Sequence, residues 1–98
     1  MKVNLNVSLK NMDEVAMKDE QGNELPLKTF CVNALMADYQ GETVDGNEKL
    51  KRYTLAKRIF KADGEVELSV EEAALLKQLV PKGHTPLVVG QLFELLEG

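Results

Sequence analysis

Residues 26–37, Pro-Leu-Lys-Thr-Phe-Cys-Val-Asn-Ala-Leu-Met-Ala, predict the central helix of the fold. Pro26 suits the first turn of a helix, because the N–H that it lacks would have no intrahelical partner there. The apolar side chains that follow point nearly all round the axis when this segment is wound as an α-helix. A helix that is apolar on every side belongs at the centre of a protein, so we expect the rest of the chain to pack around it.

Upstream of this helix, the first nine residues alternate apolar and polar side chains, with Met, Val, Leu, Val and Leu at the odd positions. A period of two predicts a β-strand with one face on the core. Val3, Leu5 and Val7 are expected to form that face, and Val7→Asp is expected to unfold much of the domain. Turn-forming residues at 11–14 and 21–23 predict that the chain folds back as a hairpin, with its register left open.

Downstream, two further helices are predicted from their periodicity and capping residues. Residues 48–62 place apolar side chains, Tyr53 and Phe60 among them, on one side of a helix and basic side chains on the other. A short extended piece follows at 65–68. Residues 69–72, Ser-Val-Glu-Glu, then form a capping box that opens a helix running to about residue 80.

A last helix is predicted from Thr85 and Pro86, which suit an N-cap and a first helical position, to about Glu97. The length of 98 residues fits one small globular domain with a modest core. The sequence therefore predicts a single α+β domain over residues 1–98, in which an N-terminal β-strand or hairpin is packed with about four α-helices.

Composition argues against several classes of protein. The 16 acidic and 12 basic residues give a net charge of −4 and a pI near 5.0, unlike a typical nucleic-acid-binding domain. No membrane-spanning segment is predicted, because Asn33 interrupts even the strongest apolar run. The single cysteine, Cys31, cannot form an intramolecular disulfide, and this indicates a reducing, cytoplasmic location.

Residues that could perform catalysis or bind a metal are scattered along the chain. His84 and Cys31 are far apart in sequence, with neither zinc-ligand spacing nor the pairing of a nucleophile with a base. A calcium-binding loop starting at Asp63 fails because Leu68 stands where such a loop needs glycine. The glycines form no phosphate-binding pattern. We therefore predict a protein that is not an enzyme and has no cofactor or metal site.

Half of the twelve basic residues lie in the helix predicted at 48–62, where they form a predicted surface stripe: Lys49, Lys51, Arg52, Lys57, Arg58 and Lys61. Three interpretations are open. The acidic residues that follow at 65–72 neutralise the basic side chains within the molecule, or these side chains bind an acidic protein, or, least favoured by the net charge, they bind nucleic acid. The candidate partner-binding cations are Lys51, Lys57, Arg58 and Lys61.

The predicted last helix carries an apolar arc about half its circumference wide, which is more than a surface helix usually needs. Either the core buries the whole arc, or part of it is a docking or self-association surface. Leu92, Phe93 and Leu96 are the candidate partner-binding residues on this helix.

Residues 62–72, Ala-Asp-Gly-Glu-Val-Glu-Leu-Ser-Val-Glu-Glu, and residues 85–91, Thr-Pro-Leu-Val-Val-Gly-Gln, together with the Leu-Leu-Glu of 95–97 and the opening strand, resemble small proteins encoded by tailed bacteriophages and prophages. The resemblance implies a viral protein that acts in the bacterial cytoplasm, without an assigned activity, and phage proteins of this size commonly bind a host or virion protein. We expect this chain to act by binding another protein, without chemistry. The alternatives are a morphogenesis factor, such as a tail or head assembly chaperone that self-associates through its last helix, and a nucleic-acid-binding regulator.

Overall fold

Four helices and a two-stranded antiparallel sheet make up the fold of residues 1–97, which the computed structural model describes. In chain order the elements are β1 (Lys2–Asn4), α1 (Leu27–Met36), α2 (Gly46–Lys61), β2 (Glu65–Glu67), α3 (Val70–Leu79), a 3₁₀ turn (Val80–Lys82) and α4 (Pro86–Glu97). The predicted α+β class and the predicted number of helices are confirmed.

The sheet differs from the prediction in length and pairing. β1 covers only three of the nine alternating residues, because the chain turns after Asn4, whose Oδ1 accepts a hydrogen bond from the Asn6 N–H at 2.9 Å. Its partner is β2, with Val3 opposite Val66 and both side chains buried. β1 itself does not pair with the segment directly after it, whereas the extended piece at 65–68 is confirmed as β2 and the residue after it. The predicted fold-back is confirmed further along the chain, where Lys10 forms an antiparallel bridge with Ala16 and the Met17 N–H donates to the Leu9 carbonyl at 2.8 Å.

The first turn of α1 rests on the segment that follows β1. The N–H groups of Leu27 and Lys28 have no intrahelical acceptor, and they donate to the carbonyls of Val7 at 2.8 Å and Leu5 at 2.7 Å. This contact buries the Leu5 side chain and turns the Val7 side chain toward solvent, where 36% of it is exposed. The prediction that Val7 is a core residue was wrong: its backbone supports α1, but its side chain does not enter the core.

α1 occupies the centre of the fold, as predicted, although one side of it reaches the surface. Cys31, Ala34 and Leu35 are buried, whereas Met36 is 55% exposed. The Lys28 ammonium at the start of α1 donates to the carbonyl of Ala62, just beyond the end of α2, at 3.2 Å. The two helices therefore pack side by side in opposite directions, and α2 covers one flank of α1.

The predicted capping box at the start of α3 is confirmed. The Ser69 hydroxyl accepts from the Glu72 N–H at 3.1 Å, and the Glu72 carboxylate accepts from the Ser69 N–H at 2.8 Å. The start of α4 at Pro86 also agrees with the prediction. These starting points were predictable because a cap depends on residues within one helical turn.

Two similar five-residue turns, at 11–15 and 19–23, connect β1 to α1. Each opens with an Asn or Asp, Asn11 or Asp19, whose Oδ1 accepts two backbone N–H groups inside the turn. In each, the fourth residue is left-handed, with φ of 63° at Glu14 and 85° at Gly22. The left-handed conformation favours glycine, which the second turn has at this position. The first turn has Glu14 there, whose Cβ is strained in that conformation.

We expect Glu14→Gly to raise the free energy of unfolding by about 0.5–1 kcal/mol, because removal of the Cβ strain outweighs the backbone entropy that glycine loses. Urea denaturation followed by circular dichroism measures this change. Gly22→Ala, at the matching position of the second turn, should instead destabilise the protein. A Glu14→Gly protein less stable than the parent would contradict the expectation.

Candidate protein-interaction surface

The basic side chains of α2 are positioned by a helix that is well capped at both ends. Asp45 is the N-cap, and its carboxylate accepts from the Glu48 N–H at 2.8 Å. Arg58 and Lys61 lie in the last turn, where the helix dipole favours positive charge. The Asp45 cap thus fixes where α2 begins and which way its side chains point.

Arg58 is held within the molecule. Its guanidinium donates to the carboxylate of Glu72 at 2.7 Å and to the carbonyl of Glu67 at 2.8 Å. The hydrogen bond from Arg58 lowers the pKa of the Glu72 carboxyl below its usual value, and the hydrogen bonds with Ser69 add to this effect. Arg58 is therefore neutralised within the molecule, although its side chain is 45% exposed, and its role in partner binding stays a prediction.

The four lysines of α2 are not neutralised in this way. Lys49, Lys51, Lys57 and Lys61 are all exposed. In the described part of the chain, no carboxylate oxygen lies within 4.0 Å of their ammonium groups. The acidic residues that follow α2 therefore account for Arg58 but leave these lysines facing solvent.

Large apolar side chains lie between these lysines. Leu50 is 61% exposed, Tyr53 49% and Phe60 66%, and the Lys57 ammonium lies 5.7 Å from the centroid of the Tyr53 ring. The prediction that Tyr53 and Phe60 belong to the core side of the helix was wrong. We call the set formed by these three side chains and the four lysines the outer face of α2.

The core side of α2 contains a charged residue that was predicted among the surface cations. Arg52 is buried, and its two terminal nitrogens donate to the two oxygens of Glu42 at 2.8 and 2.9 Å. These hydrogen bonds raise the pKa of Arg52 and lower that of Glu42. Its Nε has no hydrogen-bond acceptor in the described residues, and the Glu48 carboxylate lies 3.9 Å away.

This ion pair fastens the connection between α1 and α2. The Lys82 ammonium lies 3.7 Å from the Glu42 carboxylate and 5.1 Å from the centroid of the Tyr39 ring, so the 3₁₀ turn joins the same cluster. The position of Arg52 three and four residues before Leu55 and Ala56, on the buried side of α2, was the sequence signal for its burial. We assign the cluster a structural role.

The predicted partner-binding residues on α4 are placed differently from the expectation. Leu92 and Leu96 are buried in the core, at 0% and 4% exposure, and cannot contact a partner while the domain is folded. Phe93 is half-buried, and its role in binding stays a prediction. The wide apolar arc of α4 is thus explained largely by the core, with Val88 buried in line with the two leucines.

Cys31 and His84, the residues considered for chemistry, have different surroundings. Cys31 is fully buried, and burial raises the pKa of its thiol to about 12, which keeps it protonated. His84 packs edge-on against the Phe30 ring, with the ring centroids 5.4 Å apart. Within residues 1–97, no three His, Cys, Asp or Glu side chains are grouped so that they could bind a metal ion, and no helix is both long and apolar enough to cross a membrane.

Comparison with known proteins supplies no relative whose role could be transferred to this chain. No model of a known protein family matches it, and no curated protein or solved structure matches it either.

Proposed function

We propose that this protein is a non-catalytic protein-interaction module that binds its partner through the outer face of α2. The observation that carries the proposal is the pattern of this face: three large apolar side chains stand in solvent among four lysines that have no ion-pair partner within residues 1–97. A helix that only covered the core would not need Leu50, Tyr53 and Phe60 on its solvent side.

The chemistry of the face favours an acidic protein as the partner. Exposed aromatic side chains supply most of the affinity in many protein interfaces, because they bury a large area at low entropic cost. The lysines attract a negatively charged surface and speed its association. The expected partner segment therefore presents an apolar side chain surrounded by carboxylates.

The resemblance to proteins of tailed bacteriophages makes a host or virion protein in the bacterial cytoplasm the expected partner. The assembly-chaperone alternative requires self-association through a surface other than Leu92 and Leu96, since both leucines are buried. The nucleic-acid alternative relies on the same lysines, but the net charge of −4 opposes it.

The test captures proteins from a bacterial lysate on immobilised parent and variant chains, and then measures binding kinetics with the recovered protein. Lys57→Glu with Lys61→Glu should slow association and weaken its salt dependence. Phe60→Ala should speed dissociation about tenfold, since truncation of an interface anchor typically costs more than about 1 kcal/mol.

Two matched controls separate the surface from general effects. Lys18→Glu reverses one lysine charge at an exposed site outside α2, which is half of the change in the double variant, and Val70→Ala truncates a side chain that is 83% exposed at the start of α3. Both should bind as the parent does. A partner whose kinetics respond to the controls as strongly as to the α2 variants would refute the proposal, and tight duplex DNA binding that Lys57→Glu with Lys61→Glu abolishes would favour the nucleic-acid alternative.

A further inference from the structure

A second surface, separate from α2, lies where the first of the two turns meets α4. An open groove of about 900 Å³ lies between the turn at 11–15 and one side of α4. Val7, Leu87 and Leu95 make its walls apolar, and the buried Leu27 lies at its base. The volume and the apolar lining are typical of a site that receives a large side chain.

The turn is held in place by a side chain that acts like a neighbouring strand. Gln91 of α4 accepts from the Lys10 N–H at 3.0 Å and donates to the Lys10 carbonyl at 2.7 Å. This pair of hydrogen bonds fixes the turn against α4, so the groove exists before anything binds in it. Met12, at the rim of the groove, is left 88% exposed.

Gly90 gives an independent sign that another chain approaches α4 here. It lies in the middle of the helix and lines the groove, in a position where glycine is unfavourable compared with alanine. A Cβ on this residue would meet no atom within 4 Å among the described residues, so packing inside the molecule does not require glycine. Glycine on an exposed helix face permits close approach by a second backbone.

We infer that two copies of this chain form a symmetric dimer in which Met12 of each copy enters the groove of the other and passes over Gly90. A two-fold interface must be self-complementary, and here the protruding side chain and the groove that would receive one belong to the same patch. The rim charges suit this pairing. Lys10, Glu14 and Glu94 line the groove and make no ion pair within residues 1–97, so Lys10 of one copy can meet a carboxylate of the other.

The test is sedimentation of the full chain from micromolar to near-millimolar concentration. We expect a reversible monomer–dimer equilibrium that Met12→Asp weakens at least about tenfold, because a carboxylate would have to enter an apolar groove. Gly90→Gln should weaken the dimer comparably while leaving the thermal melt of the dilute monomer unchanged or higher, since glutamine favours the helix.

Val15→Asp is the matched control, because Val15 belongs to the same turn and is 59% exposed but does not line the groove. It should leave dimerisation unchanged. Three outcomes would overturn the inference: a parent that stays monomeric throughout, equal weakening by Met12→Asp and Val15→Asp, or Gly90→Gln with parent-like association. Lys57→Glu with Lys61→Glu, and also Phe60→Ala, should dimerise as the parent does. The two proposals can therefore fail independently.

Discussion

The substitution Leu5→Asp is expected to leave the protein largely unfolded at neutral pH. Leu5 is 1% exposed, in the core, and its carbonyl also accepts the hydrogen bond from the first turn of α1. Truncation of a buried leucine alone costs about 2–5 kcal/mol, and here a carboxylate without a partner is buried as well. A domain of this size has a total free energy of unfolding of about 5–15 kcal/mol, so the loss approaches the whole.

Val7→Asp, two residues further along, is the matched control. The Val7 side chain lies at the surface, and it is the Val7 carbonyl that supports α1, so the variant should keep the parent's circular dichroism spectrum and melt within a few degrees of it. Thermal and urea unfolding of both variants measure the difference in their stability. An equal loss of stability from the two substitutions would show that the Val7 side chain also belongs to the core.

The contrast between these residues shows how far an alternating pattern can be trusted. Alternation predicts burial only while the backbone stays extended, because the side chains of a strand point to opposite faces at each step. Burial at odd positions holds for Val3 and Leu5 and fails at Val7, after the chain has turned at residues 5–6. The pairing of β1 with β2 was not predictable either. In the sequence, β2 comes after both α1 and α2, and no local signal specifies so distant a partner.

The helices were predicted more accurately than the surfaces. Capping residues at Asp45 and Ser69 act within one turn, so local sequence determines where α2 and α3 begin. Exposure depends on what packs against each helix. Tyr53 and Phe60 are apolar and correctly spaced for a core face, yet α1 covers a neighbouring strip of α2. The outer face of α2 was therefore not predictable from the sequence, because it depends on which elements pack against the helix.

Arg52→Met is expected to lower Tm by more than about 5 °C, a shift that corresponds to about 1 kcal/mol in a domain of this length. The Arg52 side chain is 9% exposed and that of Glu42 18%, so the variant leaves a carboxylate in a poorly hydrated site, with Lys82 as its remaining ion-pair partner within residues 1–97. Arg52→Met with Glu42→Gln should recover part of the loss, because no unpaired charge is then left. Arg58→Met removes an ion pair at the surface and should have a smaller effect.

The dependence of this loss on pH identifies its cause. The hydrogen bond from Arg52 holds the pKa of Glu42 in the folded protein below the usual 4.5. The unfolded chain therefore binds that proton first on acidification, and the stability due to the ionised carboxylate is present above the usual value and is lost as the pH falls through the lower, folded one. The difference in unfolding free energy between the parent and Arg52→Met should shrink over that acidic range.

Glu72 also has a lowered pKa, but its partner Arg58 is intact in both proteins, so its contribution cancels in the difference. A difference that stays constant from neutral pH down through the acidic range would show that Arg52 stabilises the fold by packing alone.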